Sequence, residues 1–156
     1  MKSSQKIIDY AIWYYLKYYP SPKRLEEKLK EKFWPNSEKW QKYGWINDDE
    51  INFIIKEKLK NIIIEDEVIK AKINSYKNKK KSKKYILQKM FFRKENMDLV
   101  NKYIIELFNE NDELEQIKIL LKRFKYWDNL EFEEKQKILG KILRKWYSYN
   151  DIKKVI

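Results

Sequence analysis

Apolar residues along this chain are spaced for helices rather than strands, and one helical pattern occurs three times. The matching segments are 24–33 (RLEEKLKEKF), 85–94 (YILQKMFFRK) and 137–146 (KILGKILRKW). In each segment two apolar residues lie four positions apart, and a lysine precedes the second of them, at Lys28, Lys89 and Lys141. Residues at positions i and i+4 lie on one face of an α-helix, so the segments predict three equivalent amphipathic helices.

A second apolar pattern follows each of these segments. It consists of one apolar residue and two more that come three and four positions later, as in Ile51/Ile54/Ile55, Val100/Tyr103/Ile104 and Ile152/Val155/Ile156. The step between the two patterns is ten residues in the second and third copies, but twenty-two in the first, from Leu29 to Ile51. We therefore infer an internal repeat whose first copy contains an insertion at about 34–46.

Few residues in this chain interrupt helices, because glycine occurs twice and proline three times. We expect nine helices, over about 4–18, 24–32, 48–60, 66–76, 83–93, 97–108, 112–124, 132–145 and 149–156. Small polar residues before these segments suit the N-cap position, where a side-chain oxygen accepts a free backbone N–H. The expected caps are Ser3 or Ser4, Ser21, Asn47 or Asp48, Ser82, Asn96, Asn111 or Asp112, and Ser148.

The nine helices form three groups of three, so the expected fold class is all-α. A short helix with an apolar stripe cannot bury that stripe alone, and neighbouring groups must therefore cover one another. We predict one domain, residues 1–156, of three tandem three-helix repeats that form an elongated curved stack. The repeats span about 4–61, 65–108 and 111–156.

The 156 residues include no cysteine and no histidine. Disulfides, thiol nucleophiles, histidine acid–base catalysis and the usual nitrogen and sulfur zinc sites are thereby excluded. We expect no enzyme activity, no catalytic residue, no metal and no cofactor. No signal peptide is apparent, and the longest apolar run, Tyr10–Leu16, is too short to span a bilayer. The cytoplasm is the expected location.

The formal net charge of +12 indicates a polyanionic partner such as nucleic acid, an acidic protein or anionic lipid. An alternative explanation is codon usage, because lysine, asparagine, isoleucine and tyrosine share A/T-rich codons. Lysine outnumbers arginine 32 to 4, whereas surfaces that recognise phosphate generally favour the planar arginine side chain. Composition leaves both explanations open.

Several short motifs follow one another in a characteristic order. In the first repeat they are Ala11–Tyr15, Ser21, Arg24-Leu25 and Lys28-Leu29. Later come Ile54-Ile55, Ile62–Glu67, the lysine-rich turn Lys79–Lys84, Lys141-Ile142, Trp146–Tyr149 and Ile152. In this order and spacing, nearly the whole chain resembles the RecX family, which regulates the bacterial recombinase RecA. It departs from the family pattern at Tyr18, where arginine is common, and at Phe33-Trp34, where glycine is usual.

The resemblance implies three tandem three-helix repeats and a non-enzymatic protein. RecX proteins lodge in the helical groove of the RecA filament on DNA and inhibit ATP hydrolysis and strand exchange, and some also bind DNA. Such a role belongs to DNA repair, DNA recombination and the SOS response, and we expect a monomer. The alternative is a general basic helical nucleic-acid-binding protein without a recombinase partner. Membrane-surface binding is disfavoured because the apolar stripes are needed in the core.

The lysine-rich segment 77–84 is the sharpest candidate site. Its side chains would contact phosphates or acidic residues of a DNA–protein filament, whereas the alternative is a solvated linker. We favour binding because the run is crowded and matches the basic turn of the family; its members are Lys79, Lys80, Lys81, Lys83 and Lys84. A second expected feature is a row of cations at repeat positions, formed by Lys28, Lys89, Arg93, Lys141 and Arg144.

Two aromatic groups admit two interpretations each. The insertion contains Trp34, Trp40 and Trp45, which would form either a partner-binding flap or a satellite core. The first helix has aromatic residues at Tyr10 and at Trp13-Tyr14 that share one face. Such residues can stack on single-stranded bases, but a shared face is typical of a core stripe, which we expect here, with Tyr15 or Tyr18 as the residue that could face outward.

Acidic residues cluster at Asp48–Glu50 and at Glu65–Glu67. Carboxylates of this kind can act as acids and bases or bind metals. Both clusters coincide with the starts of predicted helices, where carboxylates cap free N–H groups and stabilise the helix dipole. Capping is therefore the preferred explanation.

Overall fold

The computed structural model describes residues 5–35 and 44–156, and helices are the regular elements found there. Nine α-helices occur in these described ranges. They are α1 Gln5–Tyr18, α2 Pro22–Phe33, α3 Asp48–Phe53, α4 Glu65–Asn78, α5 Lys83–Phe92, α6 Met97–Leu107, α7 Asp112–Arg123, α8 Phe132–Leu143 and α9 Tyr149–Lys153. The predicted all-α class is confirmed.

Four of the expected helix caps are present as side-chain hydrogen bonds. The hydroxyl oxygens of Ser21, Ser82 and Ser148 accept the N–H of the residue three positions later, at N···O distances of 3.2, 3.2 and 3.0 Å. Asn47 and Glu50 form a reciprocal capping box at the start of α3. These bonds satisfy backbone N–H groups that have no partner within the helix.

The start of α7 differs from the expectation. Asn111 makes no side-chain capping bond there. Instead, the Asp112 carboxylate accepts the Asn109 N–H at 2.9 Å, and the Asn109 side-chain oxygen accepts the Asn111 N–H at 3.0 Å. The caps expected at Ser3 or Ser4 lie outside the described residues.

The helix that begins with α3 was predicted to continue in α form to Lys60, and this prediction is wrong. The chain passes into a π-helical turn, Ile54–Lys58, and the Leu59 N–H then donates to the Ile54 carbonyl oxygen at 3.0 Å. Ile54 and Leu59 are both fully buried. Residues five apart in an α-helix point about 140° away from each other. The wider π turn brings both side chains to the core.

Three clusters of buried side chains form the described core, and each comes from one predicted repeat. The first combines α1, α2 and α3 with Ile46, Ile54 and Leu59. The second combines α4, α5 and α6, and the third combines α7, α8 and α9. The apolar positions that defined the repeat are buried in all three clusters: Leu25, Leu29, Ile51, Ile86, Met90, Val100, Ile138, Ile142 and Ile152. The elongated curved stack stays a prediction.

The backbone divides into two compact units. The first contains the described residues up to Val68 together with Phe92–Asn96. The second contains Ile69–Phe91 and Met97–Ile156, and therefore includes both the second and the third core clusters. The single domain expected from the sequence stays a prediction.

Five helices in the described ranges are followed by a non-glycine residue in the left-handed conformation. After α1, α4 and α7, the first helices of the predicted repeats, these residues are Tyr19, Lys80 and Lys125, with φ of 44°, 56° and 57°. After α5 and α8 they are Lys94 and Trp146, with φ of 56° and 70°. The first helices of the three predicted repeats thus end in the same way, and so do α5 and α8, whereas α2 is followed by Trp34 in an extended conformation; none of the five left-handed positions is glycine.

The ends of α4 and α7 also have the same pattern of backbone hydrogen bonds. After α4, the Lys80 N–H donates to the Lys77 carbonyl and the Lys81 N–H to the Tyr76 carbonyl, at 2.9 and 3.1 Å. The N–H groups of Lys125 and its successor make the equivalent pair of bonds after α7. This pattern is a Schellman motif, in which glycine is the usual left-handed residue.

The second helices of two repeats begin with a similar contact. Ser21 is buried before α2, and its hydroxyl donates to the Arg93 carbonyl at 3.1 Å within the first unit. Ser82 is buried before α5, and its N–H donates to the Lys145 carbonyl at 3.4 Å within the second unit. Arg93 and Lys145 each directly precede a left-handed residue. They therefore occupy equivalent positions of the predicted repeat.

We predict that Lys125→Gly raises the free energy of unfolding by about 1 kcal/mol, because glycine adopts the left-handed conformation without strain. Urea denaturation followed by circular dichroism measures the change. The matched control is Lys118→Gly in the middle of α7, which should lower the free energy of unfolding by about 1 kcal/mol. Equal destabilisation by both substitutions would contradict the prediction.

Candidate nucleic-acid interface

The basic loop between α4 and α5 lies in the second unit, and a buried tyrosine holds its backbone. The Tyr147 hydroxyl lies 2.8 Å from the Lys80 carbonyl oxygen and also contacts the Gln116 side-chain oxygen. A hydroxyl has one proton, so it donates to one of these oxygens at a time. Burial, followed by the charge of Glu113, raises the pKa of Tyr147, and the phenol stays protonated as a donor. The loop is therefore fixed at Lys80.

Lys77 begins the lysine-rich run, but its charge is used within the fold. Its Nζ donates to the Leu107 carbonyl at 2.6 Å and to the Asp112 carboxylate at 2.8 Å. The hydrogen bond from Lys77, followed by that from the Asn109 N–H, lowers the pKa of Asp112. Lys77 is thus a structural residue rather than a ligand-binding one.

Two aromatic rings lie next to the basic loop. The Lys81 Nζ lies 4.4 Å from the centroid of the Tyr85 ring, and the Lys89 Nζ lies 5.6 Å from it. The Tyr85 and Trp146 rings meet edge to face, with centroids 6.1 Å apart. The Lys84 Nζ is 6.0 Å from the Trp146 ring. Cations and rings therefore alternate along this surface.

Lys145 adds a half-buried cation to the same region. Its pKa is lowered, first by burial and then by the positive charges of Lys81 and Arg123. Among the described residues, none of these three side chains forms an ion pair with a carboxylate. The charge of Lys145 thus lies close enough to those of Lys81 and Arg123 to be repelled by both.

We call these residues together the basic–aromatic surface. Its members are Lys81, Lys84, Tyr85, Lys89, Arg123, Lys145 and Trp146. A shallow depression of about 290 Å³ lies at its edge, lined by Lys84, Leu143, Trp146, Tyr147 and Ser148. Trp146 remains 38% exposed, so part of its indole ring is accessible from solvent. The arrangement can bind an anion that also presents a flat apolar face.

The other lysines of the predicted run point to different neighbours. The Lys79 side chain is exposed, and its Nζ lies 6.0 Å from the Tyr76 ring. Lys80 is half-buried and contributes its carbonyl to the contact with Tyr147. The charge of Lys83 contributes to the lowered pKa of Asp151, after larger effects from other groups. Only Lys81 and Lys84 of the predicted run belong to the basic–aromatic surface.

The lysines of the predicted repeat row have different surroundings. Lys28 forms an ion pair with Glu31 at 2.8 Å in the first unit. In the second unit, Lys89 lies near the Tyr85 ring, and the Lys141 Nζ lies 5.4 Å from the Phe124 ring. The three lysines at this repeat position therefore do not all have a charge that is free to bind a partner.

The arginines of the predicted row are out of register with each other. Arg93 is exposed, and its backbone is equivalent to that of Lys145 rather than Arg144. Arg144 is also exposed, but it lies one position earlier in the repeat pattern and is equivalent to Phe92. The alignment of segment 85–94 with segment 137–146 could have predicted this register, because it places Arg93 opposite Lys145.

The described part of the insertion exposes its tryptophans. Trp34 and Trp45 are 40% and 46% exposed, and the Lys30 Nζ lies 5.9 Å from the Trp34 ring. Next to Trp45, Ile46 is fully buried, and its N–H donates to the Phe33 carbonyl at 3.1 Å. Trp40 lies outside the described residues. The choice between a flap and a satellite core stays a prediction.

The interpretation of α1 as an aromatic core stripe is partly wrong. Its fully buried residues include Ala11 and Tyr15, whereas Trp13 is 50% exposed. Tyr10 and Tyr14 are half-buried beside Trp13, and the three rings contact one another. The buried face of the helix is centred on Ile7, Ala11 and Tyr15, which follow one another at four-residue spacing, and Tyr10 and Tyr14 pack against its edge.

Capping accounts for the first acidic cluster. The Glu50 side chain accepts the Asn47 N–H at 3.3 Å, and Asp48 forms an ion pair with Lys30 at 2.7 Å. Residues 65–67 occupy the first turn of α4. In the described ranges, no three histidine, cysteine or acidic residues are grouped to hold a metal ion. None of the helices in those ranges is long and apolar enough to cross a bilayer.

A search of solved structures found a RecX protein from Lactobacillus salivarius, known from its crystal structure, that is similar to this chain. The TM-score is 0.66 at 19% sequence identity, and the match covers 98% of this chain and 94% of that one. At this identity the match shows the fold. The chain therefore has a RecX-like fold, as the order of its motifs predicted. No protein-family model and no curated protein matches the sequence.

We predict that Lys77→Met lowers the free energy of unfolding at neutral pH by about 1–2 kcal/mol, because two charge-assisted hydrogen bonds are lost. The pKa of Asp112 in the folded protein lies below its usual value of 3.8. A lowered carboxyl pKa contributes stability above the unfolded pKa, and this contribution is lost as the pH falls through the folded pKa. The difference between the two proteins should therefore shrink in acid.

Urea denaturation at pH 7 and at pH 3 tests this prediction. The control is Lys118→Met, which removes an exposed ion pair with Glu115. Exposed pairs contribute less than about 1 kcal/mol, so the control should have little effect at either pH. An effect of Lys77→Met that does not change with pH would contradict the role assigned to Asp112.

Proposed function

We propose that this protein is a RecX-type modulator that binds a RecA-type recombinase filament on DNA and inhibits its ATPase and strand-exchange activities. The observation that supports this proposal most directly is the RecX-like fold, which extends over nearly the whole chain. The basic–aromatic surface adds a means of binding a filament that contains DNA. The protein would act by binding, without catalysis, in the cytoplasm and as a monomer.

Charge favours association with a nucleoprotein filament. The net charge of +12 would draw the protein towards DNA phosphates over a range of several ångströms at physiological salt. Lys79, Lys81 and Lys84 make no ion pair within the described residues, so their charges are available to a partner. Since Tyr147 holds the loop at Lys80, binding would order few backbone atoms and lose little entropy.

The second candidate function is general nucleic-acid binding without a recombinase partner. The alternation of cations and rings favours it, because basic grooves with stacking rings bind single strands of any sequence. The RecX-like fold favours the first candidate. The two functions differ in whether the recombinase itself responds.

The deciding experiment is the ATPase activity of a RecA-type recombinase on single-stranded DNA, measured as this protein is added. Inhibition at less than one molecule per recombinase subunit supports the modulator. Unchanged ATPase activity together with tight binding to bare DNA would exclude the modulator and support the general nucleic-acid-binding protein.

We predict that reversing the charges of Lys79, Lys81 and Lys84 to glutamate raises the half-inhibitory concentration by about tenfold or more. The dependence of filament affinity on salt should also weaken by about one power per lost phosphate contact. Filament binding is measured by sedimentation over a series of salt concentrations. Circular dichroism verifies that the variant is folded.

A control with the same net charge separates a local effect from a global one. It reverses Lys102, Lys122 and Lys153, which are exposed in the second unit outside the basic–aromatic surface. This control should change inhibition by less than about threefold. Equal loss of inhibition in both variants would mean that total charge, rather than the loop, determines binding.

A further inference from the structure

Lys81, Arg123 and Lys145 form a cluster of like charge that the fold does not neutralise. Lys81 lies before α5, Arg123 ends α7, and Lys145 follows α8. No carboxylate of the described residues pairs with any of them. Repulsion between unpaired cations costs stability, and this cost disappears when an anion binds among them. The cluster therefore has the properties of an anion site.

The backbone restricts how far Lys145 can move away from the other two charges. Its N–H donates to the Ile142 carbonyl at 2.9 Å, and its carbonyl accepts the Ser82 N–H at 3.4 Å. The side chain is half-buried, and burial is the largest cause of its lowered pKa. Since Lys81 directly precedes Ser82, this backbone contact also keeps the main chains of Lys81 and Lys145 side by side.

Trp146 is held beside this cluster in a strained conformation. Its φ of 70° lies in the left-handed region, where a bulky side chain is rare and costs free energy. In this conformation the indole contacts the Tyr85 ring and remains 38% exposed at the edge of the shallow depression. Four other described helices also end with a left-handed residue, so the conformation belongs to the helix end, and its effect here is to orient the indole towards the Tyr85 ring.

We propose that Lys81, Arg123 and Lys145 bind a backbone phosphate of single-stranded nucleic acid, and that Trp146 stacks on the adjoining base. The occupant must supply an anion for three cations and a flat apolar face for an exposed indole. A nucleotide within a single strand has both groups next to each other. Bases of a duplex are stacked on their neighbours and cannot present a free face, so the site selects single strands.

This inference does not depend on a recombinase, because bare oligonucleotides test it. Three fluorescently labelled probes separate its two parts: an oligothymidylate strand, a duplex of the same length, and a strand of abasic sites that retains the phosphates. Fluorescence anisotropy at low salt gives the affinity of each. The unmodified protein should bind the oligothymidylate strand more tightly than either other probe.

Trp146→Leu tests the stacking contact. Loss of one stacked base should weaken oligothymidylate binding by about fivefold to a hundredfold and leave binding of the abasic strand unchanged. The control is Trp127→Leu, which changes a more exposed tryptophan outside the basic–aromatic surface. Trp146→Gly is a second variant that removes the indole but suits the left-handed conformation, and its thermal midpoint verifies that a loss of affinity does not come from unfolding.

Lys145→Gln tests the phosphate contact. It should weaken binding of the oligothymidylate and abasic strands alike, by about threefold or more. It should also raise the thermal midpoint of the free protein, because a half-buried repulsive charge is removed. Lys118→Gln, an exposed lysine paired with Glu115, is the control and should change neither property.

Three results would overturn the proposal. The first is equal affinity of the protein for the single strand and the duplex. The second is that Trp146→Leu leaves oligothymidylate binding unchanged. The third is an equal fall in affinity in the test variants and their controls. The recombinase ATPase assay is run on the same variants. If the variants show none of the expected changes in oligonucleotide binding but still inhibit the recombinase, this site is rejected and the proposed modulator function is retained.

Discussion

The buried hydroxyl of Tyr147 links the loop after α4 to the third core cluster. Its ring is packed with α7, α8 and α9, while its oxygen contacts the Lys80 carbonyl and the Gln116 side chain. The two residues before it, Lys145 and Trp146, project to the surface that the loop also reaches. One short segment thus buries a phenol and presents a cation and an indole. The position of the basic–aromatic surface therefore depends on the same packing that stabilises the third cluster.

Short-range sequence patterns predicted much of the fold. Apolar residues at four-residue spacing located the helices, and small polar residues located caps such as Ser21 and Ser82, because both signals act within one or two turns. The π-helical turn at Ile54–Lys58 was not predictable in this way. Its cause is the simultaneous burial of Ile54 and Leu59, which depends on packing against other helices.

The candidate site was only partly predictable for the same reason. The lysine run identified Lys81 and Lys84, but the rings and cations around them are distant in sequence. Tyr85 and Trp146 are more than sixty residues apart, and their contact follows from tertiary structure. Lys77 is the opposite case, because it belongs to the same charged run but its ammonium group donates a hydrogen bond to Asp112 within the fold. Charge alone does not separate these two uses.

The π-helical turn after α3 has a consequence for changes in chain length. Deletion of a residue from an α-helix rotates everything beyond it by about 100° and moves the buried face out of the core. A π turn already contains one residue more than an α turn. Deletion of one residue between Ile54 and Leu59 would leave these two side chains four positions apart, with both still facing the core. The turn is therefore the place in the first repeat where a homologous chain can lose a residue with the least rearrangement.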